Sequence, residues 1–248
     1  MSLKIKKKLK EVLPHKLTRC YRKINRFFLH IKNKDRPVSQ VFSEIYSENK
    51  WGESRKSGEF YSGPGSEGVC VKQYCDTINS FIRSLGKNNI RIVDLGCGDF
   101  RVGGEIAKQN NIDYIGVDVV PALIERNKSK YSNKNTKFIC LDIISEELPD
   151  GDICLVRQVL QHLSNSEIKK IIGKISKYKY VFITESHPPK IESYNEDKPH
   201  GQDTRLYNGS GVYLDKPPFN VKNIELVLSV PCGEEEEINT FLIKNIKS

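Results

Sequence analysis

The stretch IRIVDLGCGDFRVGGEIA, Ile90–Ala107, decides the fold. Apolar residues run through Ile90, Ile92, Val93 and Leu95 into a knot of glycines, and a helical pattern follows over Val102–Gln109. A buried strand, a glycine turn and a helix open a βαβ unit, whose turn and helix N-terminus offer bare N–H groups to a ligand. Dinucleotide-binding turns carry a third glycine that lets helix and strand pack closely. Here Gly96 and Gly98 match the first two, but the third position is Arg101, and Gly103 and Gly104 come too late. A pyrophosphate ligand is therefore not favoured.

Outward from this turn the alternation continues. Strand patterns fall at Tyr114–Val117, Lys137–Leu141, Asp152–Val156 and Tyr180–Thr184, and helical ones at Pro121–Lys130 and Asn165–Ser176. Ser164 is placed as an N-cap, and an amphipathic helix over Val71–Leu85 precedes the series, ended by Gly86. Such alternation predicts right-handed βαβ units and a parallel sheet covered on both faces. The last two strand-like runs, Ile224–Val230 and Ile238–Ile243, are separated only by PCGEEEE. That leaves no room for a crossover helix, so they pair as an antiparallel hairpin.

Composition sets the outer bounds. The chain has 248 residues, 38% hydrophobic and 29% charged, as expected of a soluble globular protein. No apolar run reaches the roughly 20 residues of a membrane-spanning helix, and no secretory signal is visible after the basic N-terminus. The seven cysteines (20, 70, 75, 97, 140, 154 and 232) have no CxxC pairing or metal-like spacing. A disulfide framework or zinc site is not expected, and a reducing cytoplasm is the natural compartment. The net charge of +9 is located almost entirely in one place. Residues 1–36 hold thirteen lysines and arginines against two acids, which leaves the rest of the chain at −2. Apolar residues from Leu9 to Ile31 recur there at helical spacing, with Pro14 as an interruption. A basic amphipathic segment of this kind suits an anionic membrane surface or a protein partner. Nucleic acid is a weaker expectation, because the remaining chain has no basic excess.

Three acids lie near the ends of successive strands: Asp94, Asp118 twenty residues after Gly98, and Asp142. An open parallel sheet binds ligands along that carboxyl edge, and a carboxylate at Asp118 suits ribose hydroxyls. Acids also suit a cationic ligand better than a diphosphate. The alternative for Asp118 and Asp142 is to cap the turns after their strands.

The set VDLGCGD, GVD, LDI and DICLVRQVLQHL, with the closing hairpin, resembles the class I S-adenosylmethionine-dependent methyltransferases from about Phe81 to the C-terminus. The resemblance implies a Rossmann-like α/β fold, a mostly parallel seven-stranded sheet with an antiparallel last strand and helices on both faces. It also implies S-adenosyl-L-methionine as cofactor. Gly96, Cys97 and Gly98 would line its methionine part, Asp94 would orient the turn, Asp118 would hold the ribose, and Asp142 and Ile143 would meet the adenine. Arg157 would pass beside the methionine portion. The expected organisation is a basic extension over 1–40 and a methyltransferase domain over 41–248. Within the domain, 41–88 form a lid and helix, 89–187 the cofactor core, 188–222 a substrate-side insertion and 223–248 the hairpin.

The acceptor is read from the flanks. WGESRKSGEFYSGPGSEG resembles an element of a bacterial methyltransferase group associated with surface-polysaccharide synthesis, as does GSGVYLDKPPFN. There SGPGS would cover the cofactor and Arg55 would meet its carboxylate. The expected reaction is O-methylation of a sugar hydroxyl, or of a phosphate-type group, on a cell-surface glycan or its precursor. His162 is the leading candidate for general base, with His187 second and His200 on the insertion. A small-molecule methyltransferase and a non-catalytic cofactor-binding subunit are the alternatives. The expected location is cytoplasmic, with peripheral attachment at the inner membrane face through residues 1–36.

Overall fold

A computed structural model describes residues 24, 28, 29, 31–33, 35–54, 59–109, 112–233 and 236–245. The chain forms two compact units, Met1–Arg36 and Pro37–Ser248. Helix α1, Val38–Ser47, lies in the second unit. Four of its residues, Val41, Phe42, Ile45 and Tyr46, are buried.

The second unit continues with α2 (Val69–Ser84), β1 (Ile90–Leu95), α3 (Arg101–Ala107), β2 (Ile112–Asp118), α4 (Pro121–Tyr131) and β3 (Thr136–Cys140). After β3 come β4 (Ile153–Arg157), α5 (Asn165–Ile175), β5 (Tyr180–His187), β6 (Ile224–Pro231) and β7 (Glu237–Lys244). The sheet has seven strands in the order β3-β2-β1-β4-β5-β7-β6. Strands β1 to β5 pair in parallel, and β7 runs antiparallel between β5 and β6. The strand order therefore reverses between β1 and β4, which is where a doubly wound sheet opens its ligand crevice.

Burial on both faces explains the near-continuous apolar strands. Val93, Leu95, Cys154, Val156, Val181 and Ile183 pack with α1 and α5 on one side. The alternate residues Ile92, Leu155, Phe182 and Leu242 pack with α2 and α3 on the other. Helix α5 begins with a complete capping box, in which Ser164 accepts from the Glu167 N–H and the Glu167 side chain accepts from the Ser164 N–H. Strand β5 runs three residues past its expected end, because Glu185, Ser186 and His187 find partners in β7.

The expectation of unpaired cysteines is corrected at one pair. Cys70, in the first turn of α2, forms a disulfide with Cys232, just after β6. The two lie 162 residues apart in sequence, so spacing gives no sign of the pairing. Packing of the α2 start beside Val230 and Ile238 brings them together. Cys75, Cys97, Cys140 and Cys154 are free thiols. No helix among the described residues is long and apolar enough to cross a membrane.

Candidate functional site

The turn after β1 is shaped by two glycines with positive φ, +78° at Gly96 and +54° at Gly98. A Cβ on Gly96 would collide with the Val159 side chain, and one on Gly98 would sit 2.5 Å from Ser62 Oγ. The bare turn is thus what lets the loop after β4 and the segment around Ser62 close upon it. Gly96 and Cys97 both donate to the Val117 carbonyl, at 2.8 and 2.9 Å. The Cys97 thiol is buried, and desolvation raises its pKa.

Asp118 ends β2 with its carboxylate turned back into this turn, accepting from the Gly98 and Val120 N–H groups at 3.1 Å each. Burial raises its pKa to about 6 despite those hydrogen bonds. Asp94, expected to orient the turn, turns its side chain toward Tyr114. Its carboxylate accepts from the Tyr114 hydroxyl, and burial raises its pKa to about 6 as well. Gly103 explains the late glycine: a Cβ there would strike the Tyr114 hydroxyl. Asp142 caps its own turn, accepting from Ile144 N at 2.9 Å and from Ser145 Oγ at 2.6 Å, with Ile143 buried beside it.

Arg157, the last residue of β4, engages its side chain as well as its backbone. Its Nη2 donates to the Gly65 carbonyl at 2.7 Å, and the guanidinium lies over the Tyr74 ring. Its buried Nε has no partner among the described residues. Desolvation pulls its pKa below the usual guanidinium value. Arg55 falls outside the described residues.

The covering segment is pinned from several sides. Ser62 Oγ accepts from the Asp99 N–H at 2.9 Å and lies 3.0 Å from the Tyr46 hydroxyl. Glu59 pairs with Arg126 and Lys130, and Glu67 pairs with Arg101. Beyond Tyr46 an aromatic wall begins. Trp51 stands edge-on to Tyr46 at 5.2 Å and tilts against His162 at 5.1 Å. Trp51 Nε1 donates to the Gln202 carbonyl at 3.3 Å, which ties the wall to the insertion.

His162 is half-buried on this wall. Its Nδ1 faces the Gly201 carbonyl at 3.2 Å and its Nε2 lies 3.4 Å from Gln161 Nε2, which assigns the proton to Nδ1 and leaves Nε2 accepting from that amide. Desolvation, helped by Lys198, pushes its pKa down to about 3, so the ring is neutral at working pH. His187 and His200 are not brought to this wall. His187 is 2% exposed, with Nε2 at 2.9 Å from the Val212 carbonyl and Nδ1 at 3.3 Å from Asn239 Nδ2. His200 Nδ1 sits 2.8 Å from Glu167 Oε1.

Two residues that hold the site escape a sequence reading. Glu185, 1% exposed, accepts from the N–H groups of Val159, Leu160 and Gln161 at 3.1, 2.8 and 3.2 Å. Burial raises its pKa to about 7. From the other side Arg205, 2% exposed, donates to the carbonyls of Gln161 at 3.1 Å, Leu163 at 2.7 Å and Glu196 at 2.8 Å. The loop bearing His162 is thereby clamped at its N–H and carbonyl ends by opposite charges. It starts at Gln158, whose φ of +58° is unusual for a side-chain-bearing residue. Gln158 Oε1 accepts from Gln161 Nε2 at 2.7 Å.

Comparison with known proteins agrees with this geometry. Residues 92–178 match the family model described as a methyltransferase domain. Phosphoethanolamine N-methyltransferase 1 of Triticum aestivum is 30% identical over 128 residues, covering 47% of this chain and 26% of that protein. The match thus spans about a quarter of the length of this curated relative. Among solved structures, the magnesium protoporphyrin IX methyltransferase of Synechocystis PCC 6803 with bound S-adenosylmethionine superposes with a TM-score of 0.52 at 13% identity. That match covers 86% of this chain and all of the other. The cyclase SpnF gives 0.53 at 14% identity, over 84% of this chain and 95% of its own. Fold likeness at such identity carries no reaction with it. The strand order and the glycine turn thus sit in the Rossmann-like fold shared with the Synechocystis methyltransferase structure, and residues 92–178 match a methyltransferase-domain model.

Proposed function

We propose that the protein methylates an oxygen of a carbohydrate acceptor, a sugar hydroxyl or phosphate-type group of a cell-surface glycan or its precursor. The observation that carries this reading is the aromatic wall of Trp51 and His162, one ring removed from the glycine turn through Tyr46. An indole face beside a polar insertion suits the apolar face and hydroxyl rim of a sugar ring. The two segments that resemble a surface-polysaccharide methyltransferase group, around Trp51 and around Tyr213, support it further.

The donor set fits S-adenosylmethionine, which supplies an already activated methyl group. Asp118 would accept the ribose hydroxyls once released from the Gly98 N–H. The unpartnered Nε of Arg157 suits the cofactor's carboxylate. Asp94 and Asp118 together favour its cationic end when ionised. Alignment is the larger part of the task, worth roughly 7–11 kcal/mol in favourable cases. The Glu185–Arg205 clamp holds His162 for that purpose. Its Nε2, now 3.4 Å from Gln161 Nε2, would exchange that amide for the incoming hydroxyl and so orient an oxygen lone pair. A pKa of about 3 makes a poor base toward a free alcohol. It serves better late in the transfer, when the oxygen already carries the new carbon and its proton has become strongly acidic.

A second reading is favoured by relatives 28–30% identical, which are named as phosphoethanolamine N-methyltransferases. An amine acceptor with a free lone pair needs no base. The test is incubation with isotopically methyl-labelled cofactor and two acceptor pools, glycan precursors and phosphoethanolamine, read by mass spectrometry. Label on a glycan oxygen is the expected result. Label confined to the amine would replace this reading with the second.

A further inference from the structure

We infer that Gln161 is the positioning residue of His162: its side-chain amide holds the imidazole in the tautomer that keeps Nε2 a hydrogen-bond acceptor. Gln161 is 5% exposed and sits in the tight turn Leu160–His162 after β4. Three groups surround its amide. The Ser186 N–H, which can only donate, meets Oε1 at 3.4 Å. The amide nitrogen donates to Gln158 Oε1 at 2.7 Å and lies 3.4 Å from His162 Nε2. A primary amide has two N–H donors and one carbonyl acceptor. With Oε1 committed to the backbone of β5, both N–H groups are left for Gln158 and His162. What they meet on the imidazole is a lone pair.

The amide is itself anchored. Gln158 Nε2 donates to Ser186 Oγ at 3.0 Å, and a Cβ on Gly65 would stand 3.1 Å from Gln158 Oε1. The Gly65 carbonyl in turn accepts from Arg157. The two glutamines therefore touch the turn that Arg157 holds on one side and His162 on the other. Across the ring the Gly201 carbonyl, 3.2 Å from Nδ1, takes the proton. Lys198 and Arg205, both from the insertion, oppose a second proton, while the carbonyls of Gly201 and Asp203 favour one. Phe42 and Trp51 pack against the ring without charge. A wrong tautomer is costly in catalysis: in the serine-protease triad, it lowers turnover about 10⁴-fold. The consequence for turnover here rests on the oxygen-acceptor reading, whereas the hold on the ring does not.

The test records long-range proton–nitrogen spectra of the histidine rings in the full-length protein with no acceptor present, and His162→Asn assigns the His162 signals. The wild-type ring should stay neutral with its proton on Nδ1. Gln161→Glu sets a carboxylate against Nε2 and should draw a proton there. Gln161→Met removes the donor and should give a mixture of tautomers. It adds no charge, so it reports even if the glutamate variant unfolds. With a hydroxyl acceptor, kcat should fall roughly 10–100-fold in the glutamate variant and less in the methionine one, with KM for the cofactor unchanged. A wild-type ring protonated on Nε2, or a pure Nδ1–H tautomer in both variants, would overturn the inference. If the ring shifts as expected while label reaches only an amine, the oxygen-acceptor reading falls and the hold of Gln161 on His162 stands.

Discussion

At single residues, backbone freedom and buried charge decide what the site tolerates. Gly96 combines a φ of +78° with Val159 in the space a Cβ would need. Gly96→Ala should cost roughly 1–3 kcal/mol of stability and abolish cofactor uptake. Gly173, in α5 with nothing near its missing Cβ, is the matched control. Gly173→Ala should stabilise by roughly 0.5–1 kcal/mol. Urea titration of both variants checks the pair. Asp94 and Asp118 give a pH signature of opposite sign in the free and bound protein. Their pKa values rise from 3.8 to about 6 on folding. Their contribution to the stability of the free protein is therefore full below about 4 and lost as pH rises through about 6. A cationic cofactor needs them ionised, so its affinity should increase over the same window, by at most about tenfold per pH unit per group. Calorimetry between pH 5 and 7.5 checks this, with Asp118→Asn expected to bind more weakly and to lose about half of the dependence, since Asp94 still titrates in the same window. An unaltered profile in that variant would place the titrating group elsewhere.

At the level of elements, the sheet and its helices were legible because they repeat a local pattern. Apolar runs of strand length, proline at the start of α4 and the Ser164 cap each act within a few residues of themselves. The glycine turn was legible for the same reason, although Gly103 reads as a stray until Tyr114 is placed against it. The clamp on the His162 loop was not legible. Glu185 lies in a run that reads only as strand, and the N–H groups it accepts from are 24–26 residues away. Arg205 reads as one polar residue of an insertion, yet it reaches back more than forty residues to the carbonyls of that loop. Nor does spacing reveal that desolvation strips His162 of its basicity, because the groups that bury it come from α1 and the insertion. The clamp makes its own prediction. Arg205→Met leaves buried carbonyls and Glu185 without their cation, and should destabilise by roughly 3–5 kcal/mol. Glu185→Gln sets an amide donor against three N–H donors and should cost about 1–3 kcal/mol. The double variant should lose less than the two single losses combined, since both act on one loop. Denaturation midpoints of the three proteins check it, and strict additivity would mean that the two residues hold separate structures.

Over the whole molecule, one contact that the sequence does not announce reaches across 162 residues. A cytoplasmic setting keeps thiols reduced, whereas Cys70 and Cys232 are joined across 162 residues. That bridge links the start of α2, directly after the Pro64–Ser66 turn that meets Arg157, to the hairpin at the far edge of the sheet. Its closure removes a large share of the unfolded chain's freedom, and bridges over long loops typically contribute about 2–4 kcal/mol. Cys232→Ser should therefore lower the melting temperature by several degrees without altering the sheet, because Val230 and Ile238 remain packed beside Cys70. Reductant should bring the wild-type protein down to the variant's midpoint and leave the variant unmoved. If reductant leaves the wild type where it was, the two thiols are unpaired in solution, and the unpaired set expected of a reducing compartment stands for all seven cysteines.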